Sequence, residues 1–157
     1  MKSRGASSSG EANQPRADAP PPLVSEGLDL AKVLREAVAS YRGFLLRCRD
    51  EREVIEVLAA ALGCRRELPT PAGTADLVCG DAVVEVEFEK RPYEGVCQLV
   101  FYKVLGGFSK AALVHVRLYR DEAFVNELRT LVEHLNLKEK DIKCFILFVE
   151  QDEVVEV

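Results

Sequence analysis

Residues 82–90 read AVVEVEFEK: Val84, Val86 and Phe88 alternate with Glu85, Glu87 and Glu89, and Lys90 closes the run. Alternation with period two predicts a strand with one apolar face. Side chains two apart on one strand face lie ~7 Å apart, so three ionised carboxylates in a row repel one another unless something neutralises them. The stretch is therefore either a solvated strand face or a place where a cation sits.

Upstream, GTADLV pairs naturally with this strand around the turn residues Cys79-Gly80-Asp81, and CRRELPT supplies a strand before it. Antiparallel pairing brings Asp76 within reach of Glu85, and Glu87 shares the face of Glu85. Two helical patterns precede the strands. In LDLAKVLREAVASY, Leu30, Val33, Leu34, Ala37 and Val38 form one stripe, while DEREVIEVLAAAL has acidic residues in its first turn and Gly63 past its end. Between them, YRGFLLRCRDER carries Arg42, Arg47, Arg49 and Arg52, the densest basic stretch in the chain. Phosphate contact and a solvated helix junction are equally open there.

Downstream, PYEGVCQLVFYKVLGG predicts a helix with Pro92 in its first turn and Gly106-Gly107 closing it. Its apolar stripe is expected at Val96, Val100 and Val104, with Gln98 and Tyr102 together on another side. A strand (KAALVHVRL), a helix (DEAFVNELRTLVEHL) and a buried strand (KCFILFVE) complete an α-α-β-β-β-α-β-α-β order, expected to form a mixed sheet with helices on both faces.

The chain has 157 residues, 48% hydrophobic and 30% charged, enough for one globular domain, expected over 27–157. Residues 1–26, rich in Ser, Gly, Ala and Pro, are expected to be a disordered tail. No apolar run is long enough for a bilayer and no signal-peptide core is present, so a cytoplasmic protein without a membrane partner is expected. The net charge of −5 argues against broad non-specific nucleic-acid binding but allows a local basic groove. The five cysteines are odd in number and form no CxxC pair, which predicts buried free thiols rather than a disulfide framework or a zinc ribbon. His115 and His134 have no second ligand at a motif spacing and are expected to be structural or on the surface.

TADLV, followed nine residues after its Asp by EVE and then by QLVFY, resembles the PD-(D/E)XK nuclease superfamily, in particular its RecB-like branch. The resemblance spans about Asp50 to Leu118. It implies an α/β restriction-endonuclease-like αβββαβ core, with the N-terminal helix and a C-terminal α-β extension added. It implies Asp76 and Glu85 as ligands of Mg2+ or Mn2+, joined by the Val86 carbonyl. Gln98 would orient substrate or water, and Tyr102 would donate to a phosphate or pack beside it. A glutamate of the preceding helix, Glu53 or Glu56, would add an outer contact; where the basic stretch YRGFLLRCRDER borders the binding groove, Arg47 and Arg49 are its candidate DNA contacts.

The family's lysine position holds Glu87. A carboxylate there can act as base or as a further ligand but supplies no positive charge. Lys90 folding back, or Lys103 on the next helix, is the available substitute. An alternative register takes Glu87 as ligand with Glu89 in the lysine position; the Glu85 register is preferred. Ala75 stands where the family often has proline. No cysteines sit at the spacing of an iron–sulfur cluster, so none is expected. The implied function is a metal-dependent nuclease hydrolysing phosphodiester bonds in DNA, with RNA as substrate and a homodimer left open. The alternative is a catalytically degenerate module that keeps the fold and binds nucleic acid or a protein.

Overall fold

The structure, a computed structural model, describes residues 29–157; the tail expected over 1–26 lies outside the described residues. AVVEVEF forms β3 (Ala82–Phe88), and its two faces enter two different cores. Val84 and Val86 pack with α1 (Leu30–Leu45) and α2 (Glu51–Leu62). Val83 packs on the other side with α3 (Val96–Leu105) and α4 (Glu122–His134). The remaining strands are β1 (Arg65–Thr70), β2 (Gly73–Cys79), β4 (Lys110–Arg117), β5 (Ile142–Phe148) and β6 (Glu153–Glu156), with a short 3-10 turn at Lys138–Lys140.

The strands form one open six-stranded sheet in sequence order. β1, β2 and β3 are antiparallel, β3, β4 and β5 are parallel, and β6 returns antiparallel along β5. The parallel pairs need crossovers, which α3 and α4 provide. The chain is thus an α/β fold with a mixed sheet and four α-helices, two on each face. No helix among the described residues is long and apolar enough to cross a membrane.

Helix boundaries follow local chemistry. Asp29, Asp50 and Asp121 each accept a backbone N–H of the first turn they precede, and Gly63 ends α2 in the left-handed region at φ 65°. Such caps contribute ~1 kcal/mol each.

One open alternative is excluded and three expectations need correction. The polar face of β3 is not solvated: Glu85 is 6% and Glu87 8% exposed, because α3 lies over them. α3 begins at Val96, after a turn through residues 92–95, and it buries Val96, Leu99 and Tyr102 while Val104 is 72% exposed. The helix has two apolar stripes, so periodicity alone could not choose between them. The C-terminal edge carries an additional short strand, β6. Finally, Cys64 and Cys79 form a disulfide, leaving Cys48, Cys97 and Cys144 free. The register Arg65↔Val78, continued by one residue, sets these two cysteines opposite each other with Cα atoms 4.7 Å apart.

Candidate functional site

Regular pairing between β2 and β3 stops at Leu77↔Val84. Continued by one step, the register sets Asp76 opposite Glu85. There the strands part and the Asp76 side chain takes over, with the Val86 N–H donating to Asp76 Oδ2 at 2.9 Å. On the other side, β1–β2 pairing runs through Arg66↔Leu77 and Leu68↔Ala75 but skips Glu67 and Asp76. Glu67 is held at φ 51°, a left-handed conformation that costs a non-glycine residue roughly 1–2 kcal/mol. Asp76 therefore sits in a local break of both ladders. Because N–H and C=O of one strand residue point to the same edge, the Val86 carbonyl also faces this break.

Glu85 projects towards α3, and its Oε2 is buried without a hydrogen-bond partner. Glu87 lies beneath the N-terminus of α3. A Cβ at Gly95 would come 2.9 Å from Glu87 Oε1 and 2.7 Å from Leu113 Cδ1, and the backbone there is at φ 81°, so only glycine fits over this carboxylate. A further carboxylate arrives from the first turn of α2, where Glu51 accepts the Phe88 N–H at 3.3 Å.

Burial dominates the electrostatics. It pushes Glu85 up to about 9, and repulsion from Asp76, Glu87 and Glu51 adds to it. Glu87 is pushed up to about 7 by burial and by Glu51, with Lys90 acting in the opposite sense. Asp76 rises to about 6 through burial, opposed by the Val86 N–H it accepts and reinforced by Glu51 and Glu67. The cluster is thus a concentrated acidic centre that holds protons near neutrality.

The expected flanking residues occupy distinct places. Tyr102 is fully buried; its hydroxyl donates to the Thr74 carbonyl at 2.6 Å and accepts from Gln98 Nε2 at 2.8 Å. The phenol ties α3 to β2 two residues before Asp76, and its proton is already committed. Gln98 is exposed beside it. Glu53 and Glu56 are turned away to Arg49 and Arg66, at 2.8 Å and 2.7 Å. Glu51 is the α2 carboxylate at the centre. Sequence reasoning passed over it because acids in a first helical turn already have an explanation in the helix dipole.

Lys90 faces Glu94 at 4.0 Å, and the Lys103 ammonium donates to the Ser109 carbonyl at 2.6 Å. Glu89 leaves the row at φ 51° and meets Arg117 at 3.7 Å, so the alternative register would set its second carboxylate outside the cluster. Arg47 and Arg49 are both exposed just before α2, Arg47 over the Phe44 ring at 5.1 Å.

His115 stands opposite Glu87 in the β3–β4 register. It is fully buried, and burial lowers it to about 4, so it is neutral at pH 7. With Nε2 facing the Pro92 carbonyl at 3.3 Å, the proton belongs on Nε2 and the unpartnered Nδ1 is bare. His115 thereby anchors the loop leading to Gly95, and it is structural as expected.

A cavity of about 380 Å³ lies at the other end of the sheet, lined by the first residues of the parallel strands, Ala82, Lys110 and Ile142, and none of Asp76, Glu85, Glu87 and Glu51 borders it. Among the described residues no three His, Cys, Asp or Glu side chains are arranged to hold a metal ion by themselves. A cation at the break would rest on two carboxylates and a backbone carbonyl. The orphaned Glu85 oxygen opposite Asp76 fits that donor set, which suits a hard cation such as Mg2+ or Mn2+ with water filling its other positions. Compared with family models, curated proteins and solved structures, the chain matches none.

Proposed function

We propose that this chain is a metal-dependent nuclease acting on DNA, with its centre at the break between β2 and β3. The observation that carries the reading is the buried, unpartnered carboxylate oxygen of Glu85 opposite Asp76. Glu85 can keep this oxygen buried only by holding a proton or by meeting a cation, and a carboxylate confined in that way is suited to exchange the one for the other. The element order also supports the reading: α2, antiparallel β1–β2–β3, α3 and parallel β4 follow the sequence expected of a restriction-endonuclease-like core.

Asp76, Glu85 and the Val86 carbonyl would hold the cation. Bound there, Mg2+ or Mn2+ would acidify a water and offset negative charge on the scissile phosphate. Glu87, a carboxylate buried beside the cation's ligands, would accept a proton and return it to the leaving oxygen. The Thr74–Tyr102–Gln98 chain of hydrogen bonds holds Gln98 at the surface next to the centre, where its amide can orient substrate. Arg47 and Arg49, at the entrance to α2, supply the positive charge that a phosphate backbone needs beside so many acids.

The second reading is a catalytically degenerate module that binds nucleic acid or a protein. The observation favouring it is Glu87 itself, a carboxylate where a lysine would offset the charge of the phosphate. Incubating single-stranded, double-stranded and branched DNA with the protein and Mg2+ or Mn2+ separates the two. Cleavage by the wild type that Glu85→Ala abolishes supports the nuclease. No cleavage by the wild type, regained in Glu87→Lys, supports the degenerate module. No cleavage by either protein rejects the catalytic reading.

A further inference from the structure

The inner face of α3 serves the centre and the core; on its outer face only Val100 packs partly against that core, and the rest is uncovered by the described chain. Cys97, Val100, Phe101, Val104 and Leu105 follow the i, i+3, i+4, i+7, i+8 spacing of a second apolar stripe. Phe101 is 56%, Val104 72% and Leu105 57% exposed, and Leu135 at the end of α4 extends the patch at 44%. Lys103 is the only charged residue in α3. A helix with apolar stripes on two faces normally has both of them covered. Next to the stripe, a groove of about 430 Å³ opens between α3 and the end of α4, floored by Val96, Val100 and Leu137.

We propose that this face is a homodimer interface, in which Phe101 of each copy enters the α3/α4 groove of the other about a two-fold axis. An isologous contact needs a projection and its recess on one surface, and the half-exposed Phe101 ring, which also walls its own groove, stands beside the recess floored by Val96, Val100 and Leu137. The area agrees. The exposed apolar side chains present roughly 450 Å². A standard interface covers about 800 Å² per partner and is about 65% apolar in homodimers, or ~500 Å². The patch supplies nearly all of that share without help from another molecule.

Charge is permissive as well. α3 carries no carboxylate, and the nearest ammonium groups are already engaged: Lys103 with the Ser109 carbonyl and Lys140 with that of Leu135, each at 2.6 Å. A second copy therefore buries no unpaired charge at the seam. The interface uses none of the clustered acids, so it stands or falls separately from the nuclease reading.

Sedimentation equilibrium of the full chain over the micromolar range tests the interface. The wild type is expected at twice its 17.4 kDa mass, and Phe101→Glu/Val104→Glu at 17.4 kDa with an unchanged far-UV spectrum. Phe101→Ala should weaken dimerisation about 30-fold or more, as truncating a central aromatic anchor does. Should the double variant lose its helical signal, Leu105→Lys carries the same test at an exposed position. A monomeric wild type, including one that instead binds a different protein through this face, overturns the proposal. So does a folded Phe101→Glu/Val104→Glu or Leu105→Lys protein that remains dimeric.

Discussion

The protonation of individual acids is where this fold is least comfortable. Asp76, Glu85 and Glu87 are raised to about 6, about 9 and about 7, whereas the unfolded chain holds them near ~4. Between those values the native state binds more protons than the unfolded state. Stability without metal must therefore fall as pH rises from about 5 to about 9. His115 has the opposite sign: lowered to about 4 when folded, it lets the unfolded chain alone take up a proton below ~6.5, so stability is lost as pH drops through that window. Three carboxylates outnumber one histidine, and the net slope stays downward with rising pH. Thermal melts in chelator from pH 5 to 9 check this. Glu85→Gln should flatten the slope and stabilise the metal-free protein at pH 8 by roughly 1–3 kcal/mol, because the amide needs no proton from solvent to be buried, whereas Glu85 must take one up on folding. A melting temperature unchanged by that substitution would show that Glu85 is already satisfied. None of this burial was legible in AVVEVEFEK, whose alternation is equally that of a strand open to water; only α3, placed by tertiary packing, decides it.

Among the elements, α3 and the β1–β2 hairpin hold the centre in place. Tyr102→Phe removes the link to Thr74 and should cost about 1 kcal/mol, with amide exchange accelerating first in β2 around Asp76. Full protection of β2 in that variant would place its stability elsewhere. The Cys64–Cys79 bridge closes a loop with a sequence separation of 15, a size for which chain entropy gives ~3 kcal/mol. Cys64→Ser/Cys79→Ser should thus melt about 10 °C lower than the wild type under non-reducing conditions, and equal melting temperatures would contradict the bridge. The order of elements along the chain as far as β5 and the Gly80-Asp81 turn were legible because each rests on local chemistry. The disulfide was not, since it depends on hairpin register rather than cysteine spacing. Glu51 and the buried side of α3 were hidden for a related reason: in each, a second local explanation fitted the same residues.

For the whole molecule, the sheet and its four helices turn a net-acidic chain into a scaffold that concentrates Asp76, Glu85, Glu87 and Glu51 at one break and leaves exposed arginines near α2. If those arginines meet a phosphate backbone, Arg47→Ala/Arg49→Ala should weaken DNA binding and reduce the slope of log affinity against log salt by about 2. An unchanged slope would return them to solvent. Cation binding at Asp76 and Glu85 is the claim on which the nuclease reading depends, and its signature is proton exchange, because acids that hold protons near neutrality must release them to bind a metal. Calorimetric titration of Mn2+ at pH 7, repeated in buffers of different ionisation enthalpy, measures affinity and proton release together. The wild type should release about one proton or more per cation bound, with binding tightening as pH rises, and Asp76→Ala/Glu85→Ala should show neither heat nor release. Equal Mn2+ binding by the wild type and the double variant would contradict the account.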